Sequence, residues 1–276
     1  MRRSLFVRCL ALILSVWLIA GPAAAQAPVG QEYAPIAGQP GKDVVWLPSA
    51  LAMVNAMLDL GDVTPQDTVI DLGSGDGRLV VGAAKRGARA LGIEYNPDLV
   101  ALSRRNAARE GVGDRVQFVQ GDIFETDFSQ ATVITMFLLP QLNLRLRPLL
   151  LDLRPGTRLV SNTFAMGDWG VDGFADVTSS ASCNDFCTAL LWIVPAKVEG
   201  EWRMPEGRLA LIQKYQMLSG TVERDGKSVP ITEGRLRGEA ITFTAGGVQY
   251  AGRVRGNVMA GTFGGGAWSA SRIGLQ

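Results

Sequence analysis

The chain has 276 residues, 47% of them hydrophobic, a length that suits one large domain or a medium domain followed by a small one. Its formal net charge is +1 and its aromatics (7%) are not interleaved with basic residues, so neither a global field nor a base-stacking surface recruits nucleic acid. Histidine is absent altogether, which excludes imidazole bases, histidine-containing metal sites and the Ser-His-Asp and Cys-His nucleophile systems.

The chain opens with Arg2, Arg3 and Arg8, then the apolar run 9–20, Gly21-Pro22 and Ala23-Ala24-Ala25 before Gln26. A charged start, an apolar core and a small-residue cleavage site read as a secretory leader cut after Ala25. The apolar run is shorter than the ~20 residues a spanning helix needs. Residues 1–25 therefore predict export to the periplasm or cell envelope, with no stable membrane span after cleavage. Residues 26–43, rich in Pro, Gly, Gln and Ala without periodicity, read as a flexible lead-in.

From residue 44 the pattern is that of an α/β domain ending near 196. Leu47–Leu60 predicts a helix capped by Pro48-Ser49, with Leu51, Val54, Met57 and Leu58 on one face. Strands are predicted at Thr68–Leu72, Ala90–Tyr95, Val116–Val119, Ala131–Phe137, Arg158–Asn162 and Thr188–Pro195. Helices are predicted at Arg78–Lys85, Pro97–Glu110 and Pro140–Leu153, two of them opened by proline, which suits a first helical turn. Apolar strands alternating with helices argue a doubly wound, mainly parallel sheet covered on both faces. Ligands of such sheets bind beyond the carboxyl ends of the strands. Arg104-Arg105 and Arg145–Arg147 read as solvated helix faces, and the leucines between 142 and 151 as a sheet-facing surface.

From about 197 to 276 short alternating runs separated by glycines replace the helices. Gly234-Arg-Leu-Arg-Gly238 recurs as Gly252-Arg-Val-Arg-Gly256, and Gly256-Asn257 suits a two-residue hairpin turn. This predicts a small antiparallel β module, a meander or partial barrel. Of three cysteines, Cys9 leaves with the leader; Cys183 and Cys187 remain. In an exported chain the pair favours a disulfide; two reduced thiols or half a metal site are the alternatives. No metal site is predicted.

The chemistry concentrates in 69–78, Val-Ile-Asp-Leu-Gly-Ser-Gly-Asp-Gly-Arg. A buried strand runs into a glycine turn and a helix start, where backbone N–H groups and the helix dipole favour a small anionic ligand. Asp71 before the glycines suits a ligand that also carries a positive group, such as an ammonium. A dinucleotide fingerprint would need glycine at 78, where Arg stands. Asp71 with Gly73, Ser74, Gly75 and Gly77 instead resembles the S-adenosylmethionine (AdoMet) loop of the class I, seven-strand methyltransferases. That resemblance implies that Asp71 and the loop hold the methionine end of AdoMet. It also implies that Glu94, at the end of the second strand, bonds the ribose hydroxyls and that Asp122, after the third, bonds the adenine amine.

A closer likeness rests on the loop together with Trp46-Leu-Pro-Ser49, Gly92-Ile-Glu-Tyr-Asn-Pro97 and Phe137-Leu-Leu-Pro-Gln141. Over about residues 44–170 the chain resembles the small lysine methyltransferases that act on the mitochondrial ATP synthase c-ring protein and on the adenine nucleotide translocase. The likeness implies methyl transfer to an amine, either a protein lysine or a small molecule, with Phe137, Pro140 and Gln141 positioning the acceptor. The Asn-Pro-Pro-Tyr motif of many amino-group methyltransferases is absent. Phe164, Trp169 and Trp46 are further candidates for pocket walls, and Asp168 for a proton acceptor. The alternatives are a non-catalytic envelope binding protein on the same scaffold and an NAD(P)-dependent oxidoreductase. The first draws its motive from a leader that points away from the cytosolic source of AdoMet; the second is opposed by Asp71 and Arg78.

Overall fold

The computed structural model describes residues 32–179, 183 and 185–274; the leader expected at 1–25 lies outside the described residues. The order of the first part is α1 (Leu51–Leu60), β1 (Thr68–Leu72), α2 (Arg78–Lys85), β2 (Arg89–Glu94), α3 (Pro97–Arg109), β3 (Val116–Gln120), β4 (Val133–Met136), α4 (Pro140–Leu151), β5 (Arg158–Asn162), β6 (Gly173–Asp176) and β7 (Thr188–Ile193). Among the described residues these strands form a seven-stranded sheet in the order β3-β2-β1-β4-β5-β7-β6. The pairs β1–β2, β2–β3, β1–β4 and β4–β5 are parallel, and β7 runs antiparallel to both β5 and β6. The doubly wound sheet is as expected, with an edge strand, β6, that the sequence pattern does not reveal.

Successive side chains of β1 point to opposite faces, so one strand feeds two cores. Val69 joins Met53, Met57 and Leu58 of α1 and Val80 of α2 on one side. Ile70 and Leu72 join Met136, Leu146, Leu150, Trp169 and Trp192 on the other. The strand is buried on both faces, which is why it reads as a continuous apolar run.

Two boundaries differ from expectation. Helix α1 starts at Leu51 and has no side-chain cap. Ser49 is used otherwise: its carbonyl accepts Arg78 Nη1 at 2.5 Å and its hydroxyl accepts Asn162 Nδ2 at 3.1 Å. The residue before Pro48 is also biased away from helical angles. In α4 only Asn143, Leu146 and Leu150 are buried, so its sheet-facing stripe is narrower than its leucine content suggests.

The remaining strands are β8 (Gly200–Met204), β9 (Gly207–Lys214), β10 (Met217–Arg224), β11 (Lys227–Arg237), β12 (Ala240–Ala245), β13 (Val248–Arg255), β14 (Val258–Phe263) and β15 (Gly266–Arg272). They close an antiparallel barrel, sealed where β15 pairs with β8. Alternate residues such as Leu209, Leu211, Ile241, Phe243, Val254 and Trp268 fill its interior. Register shifts in β10–β11 and β11–β12 supply the curvature that closure needs. At Gly220 (φ 141°) a Cβ would lie 1.9 Å from the Ala210 carbonyl oxygen, so the strand can cross there only as glycine.

The barrel packs on the segment between β5 and β6. Trp169 and Tyr215 stack with centroids 5.7 Å apart, Tyr215 Oη donates to Asp168 at 2.7 Å, and Arg235 pairs with Asp172 at 2.6 Å. Arg147 of α4 also pairs with Asp168, at 2.8 Å, so it is part of this junction rather than a solvated face. Arg104 likewise donates to the Phe118 carbonyl at 2.7 Å.

Behind the sheet, Arg158 pairs with the buried Asp67 and also donates to the carbonyls of Gly61 (2.9 Å) and Asp62 (2.8 Å). Burial raises the Asp67 pKa, but hydrogen bonds from Thr132 and Thr64 and the Arg158 charge outweigh it and hold the carboxyl below its usual range. A depressed carboxylate stabilises the fold above its unfolded pKa of ~3.9 and loses that contribution as pH falls through the folded value. Breaking a buried pair leaves an uncompensated charge. Asp67→Asn is expected to cost about 3 kcal/mol in urea unfolding at pH 7, with a deficit that shrinks below pH 4.

Candidate functional site

A cavity of about 510 Å³ opens beyond the carboxyl ends of β1, β2 and β4, where parallel sheets bind ligands. Asp71, Gly73, Ser74, Gly75, Glu94 and Asp122 all line it, and so does Phe137. The structure thus brings together the loop, the three acids and one predicted acceptor residue. Gly77 does not face the cavity. It sits at the N-cap of α2 with φ 82°, where a Cβ would come within 2.8 Å of the Phe118 ring and 2.9 Å of Ser103 Cβ.

The glycine turn is bonded differently from expectation. The N–H groups of Gly73 and Ser74 donate to the Ile93 carbonyl (2.9 and 3.0 Å), that of Gly77 to the Ser74 carbonyl (2.8 Å), and that of Gly75 to Glu94 Oε2 (2.9 Å). These amides are therefore spent inside the protein. What the glycines offer is a surface without Cβ atoms, held rigidly. Ser103 Oγ donates to the Gly75 carbonyl at 2.8 Å, Asn106 Nδ2 to the Asp76 carbonyl at 2.9 Å, and Arg78 pairs with Asp76 at 2.6 Å.

Asp71 is almost fully buried. Its strand register sets it between Gly92 of β2, which has no side chain, and Thr135 of β4, whose hydroxyl donates to it at 2.7 Å. Among the described residues no lysine or arginine pairs with it. Burial first, then the nearby charges of Glu94 and Asp76, push its pKa up to about 7 against the Thr135 hydrogen bond. A buried carboxylate with one hydrogen bond, at the wall of a cavity, is built for a cation from outside the chain.

Glu94 accepts the Gly75 N–H through one oxygen and the Asn96 N–H (2.9 Å) through the other. Each oxygen keeps a second acceptor direction toward the cavity. Asn96 in turn caps α3. Asp122 accepts the Phe124 N–H at 2.9 Å and pairs with Lys42, whose ammonium lies 4.8 Å from the centroid of Tyr95. The Lys42 hydrogen bond, followed by that of Phe124, holds the Asp122 carboxyl below its usual range.

Lys42 is the functional residue that sequence reasoning missed, because it lies in the stretch read as a flexible lead-in. That stretch folds back on itself: Gly38 N–H donates to the Trp46 carbonyl and Trp46 N–H to the Gln39 carbonyl, both at 2.9 Å. Residues 39–49 then form one wall of the cavity, and the Trp46 indole packs on Gly75.

Phe137, Phe164 and Phe186 also line the cavity. The Phe164 carbonyl accepts Asn143 Nδ2 (2.9 Å) and Ser161 Oγ (2.7 Å), which fixes the turn after β5. Phe186 lies in the loop closed by the bond between Cys183 and Cys187. It carried no periodic signal in the sequence. Trp169 is buried in the core on the barrel side and does not line the cavity. Neither does Asp168, held at the barrel junction by Tyr215, Lys214 and Arg147, which pull its carboxyl well below the usual range. Pro140 and Gln141 open α4 in exposed positions outside the cavity wall; Leu138, Leu139 and Leu142 line it instead.

The profile of the ANTKMT methyltransferase domain matches residues 71–172. A protein-lysine N-methyltransferase of Saccharolobus islandicus is 41% identical over 129 residues, which are 46% of this chain and 80% of that protein. The human lysine N-methyltransferase named for the ATP synthase C subunit is 40% identical over 106 residues, 38% of this chain and 46% of that protein, so the chain spans about half the length of the human relative. A solved RNA methyltransferase from Salinibacter ruber, in complex with S-adenosyl-L-homocysteine, is 45% identical with a TM-score of 0.51, covering 55% of this chain and 96% of that one.

Fold, cavity and likeness together define an AdoMet-dependent methyltransferase. The chain belongs to the methyltransferase family of the ANTKMT domain. The site fits that cofactor: Asp71 lacks a cation, Glu94 retains free acceptor directions, and the Cβ-free surface admits a ligand close to the backbone.

Pairing with the ammonium of AdoMet requires Asp71 ionised, and before the cofactor binds half of it is protonated near pH 7. Binding at pH 6 should therefore release close to one proton, seen by calorimetry in buffers of different ionisation enthalpy. Affinity should rise as pH is raised from 5 to 7, by at most about tenfold per unit, and then level. Asp71→Asn should bind weakly with no such slope.

Proposed function

We propose that this chain transfers the methyl group of AdoMet to the side-chain amine of protein lysines, and that it does so outside the cytosol, in the periplasm or cell envelope. The observation that carries the acceptor is the 41% identity to a protein-lysine N-methyltransferase across most of that protein. The apolar, aromatic wall opposite the cofactor acids supports it. AdoMet, when bound, supplies an electrophilic methyl, so the protein has to align and desolvate rather than activate covalently.

The residues of the chain divide that work. Asp71 holds the cationic end of the cofactor, Glu94 its ribose hydroxyls and Asp122 its adenine amine once Lys42 yields that acceptor. Phe137, Phe164, Phe186 and Leu142 exclude water from the acceptor. A lysine amine has a reference pKa of ~10.4, and burial against such walls disfavours its charged form. The proton leaves to solvent, since among the described residues no acid other than the cofactor-binding ones and their neighbours Asp43 and Asp76 lines the cavity. A phosphodiester acceptor finds little to bind: Lys42 is engaged by Asp122 and Arg78 by Asp76.

The secretory leader and the Cys183–Cys187 bond support the location, since disulfides persist in oxidising compartments. Among the described residues no helix is long and apolar enough to cross a membrane.

Two measurements check this reading. Incubation with methyl-labelled AdoMet and envelope proteins, followed by acid hydrolysis, should give label in methylated lysine. Label in an RNA arm alone would overturn the acceptor. Glu94→Ala should lower transfer at least about a hundredfold with an unchanged circular dichroism spectrum, the scale of losing a charged hydrogen-bond partner. Protein purified from the envelope should begin at Gln26 and show no titratable thiol until reduced; an intact Met1 or two free thiols would reject the export assignment.

A further inference from the structure

The three phenylalanines at the acceptor end come from three separate segments: Phe137 after β4, Phe164 after β5 and Phe186 before β7. Their centroids are 6.0 Å (137–164), 5.3 Å (137–186) and 5.7 Å (164–186) apart. The first pair is nearly parallel, at 16°, and Phe186 is inclined to both by 61° and 54°. The three rings therefore form one packed cluster in the cavity lining, with Phe186 inclined to the other two.

Two of these rings stand on strained or specially anchored backbone. Thr163, just before Phe164, has φ 61°, and Phe186 itself has φ 59°. Bulky and β-branched residues avoid this left-handed region and stay there only when their surroundings hold them. At Phe186 the holding device is visible. Cys183 and Cys187 are bonded across it and are themselves buried in the core beside α1, while the Phe186 ring stays 38% exposed. The covalent ring is anchored in the protein, and the residue it carries is turned outward to the cavity mouth. The Phe186 ring packs on Phe137 and Phe164 and leaves part of its surface open in the cavity lining.

We infer that Phe186, held by the Cys183–Cys187 bond, is a specificity-determining residue of the acceptor site: with Phe137 and Phe164 it forms an aromatic clamp for the alkylated ammonium head of a methylated acceptor. The inference rests on the amine-acceptor reading above. Aromatic faces attract cations through the ring quadrupole, most strongly when the cation is poorly hydrated, as a methylated ammonium is. The clamp therefore retains the methylated ammonium that one transfer leaves behind. The next transfer follows once that ammonium loses its proton to solvent and its lone pair is free, so successive transfers to one nitrogen are favoured over release.

The test uses the full mature chain, saturated with S-adenosyl-L-homocysteine, and two probes with the four-carbon stem of lysine, n-butylamine and n-butyltrimethylammonium. Calorimetry or ligand-observed NMR gives the affinities. Wild type should bind the quaternary probe more tightly than the amine. Phe186→Ala should weaken the quaternary probe by about fivefold, the scale of one partly exposed cation–π contact, and Phe186→Trp should restore it. The double variant Cys183→Ser/Cys187→Ser should weaken it as well, and AdoMet affinity, reporting an intact fold, should be unchanged in every variant. With labelled AdoMet, Phe186→Ala should shift product toward monomethyl-lysine. Equal probe affinity in wild type and Phe186→Ala, or no probe binding by wild type, would overturn the clamp. The amine reading stands or falls separately, on whether label appears in lysine at all.

Discussion

The site depends on one unfavourable placement, the carboxylate of Asp71 inside a parallel sheet. A strand buried on both faces has no solvent with which to charge such a group, and the pKa of about 7 records that cost. The register makes the placement tolerable without relieving it. On one side stands Gly92, whose missing Cβ leaves room for Ser74 and Phe118; a Cβ there would come within 2.5 Å of Ser74 Oγ and 2.7 Å of Phe118. On the other, Thr135 gives one hydrogen bond. Had β2 or β4 supplied a lysine or arginine instead, the fold would gain an ion pair and lose its reason to bind a cation. Glycine turn, strand register and helix α2 thus serve a carboxylate that is completed only by a ligand.

How much of this was legible in the sequence follows from which contacts are local. The strand–glycine–helix unit and the acids closing β2 and following β3 were readable, because apolar runs, turn residues and proline-opened helices all act within a few positions. The wall made by residues 39–49 was not. Its conformation is set by Trp46 against Gly75 and Lys42 against Asp122, partners 29 and 80 residues away in sequence, and nothing periodic marks it. Strand β6 was hidden by its length of four residues and half-exposed pattern. Strand β11 was hidden by Pro230 and Gly234, which interrupt a run that the barrel nonetheless keeps paired through register shifts. Phe186 was hidden because its position comes from a covalent ring rather than a repeat. Asp168 misled in the opposite sense: an acid beside a tryptophan looks catalytic, but its partners Arg147, Lys214 and Tyr215 come from α4 and the barrel.

The stretch between β5 and β6 ties the barrel to the acceptor side of the cavity. Its first residues carry Phe164, fixed by Asn143 and Ser161; its later ones carry Asp168, Trp169, Gly170 and Asp172, all bonded or stacked to the barrel or to β7. Gln216 Nε2 donates to the Gly170 carbonyl at 2.6 Å, and Trp192 Nε1 to the Trp169 carbonyl at 2.8 Å. A short loop thus spans from the acceptor wall to a rigid barrel. Loops that carry function on a stable scaffold are ordinarily its least constrained parts. Here the barrel removes that freedom on one side of the cavity.

The other side is held differently, and the contrast assigns a division of labour. The wall of residues 39–49 is held by side-chain contacts, the Lys42–Asp122 pair, Lys42 over Tyr95, Trp46 on Gly75 and the bonds of Ser49 to Arg78 and Asn162, together with backbone hydrogen bonds of Gly38, Gln39 and Trp46, and Val45 and Leu47 are left partly exposed. Lys42 stands on the Asp122 oxygen that an adenine amine would have to share. One part of the lining braced by the barrel and another held by side-chain contacts suit a transfer whose geometry is demanding at one nitrogen. The cofactor must enter and leave each cycle, whereas the acceptor site must present the same faces to the same nitrogen each time. The absence of histidine then ceases to be a puzzle. Where alignment and exclusion of water carry the reaction, the residues in demand are those that shape a wall, and this chain invests in glycine, phenylalanine and a cross-linked loop.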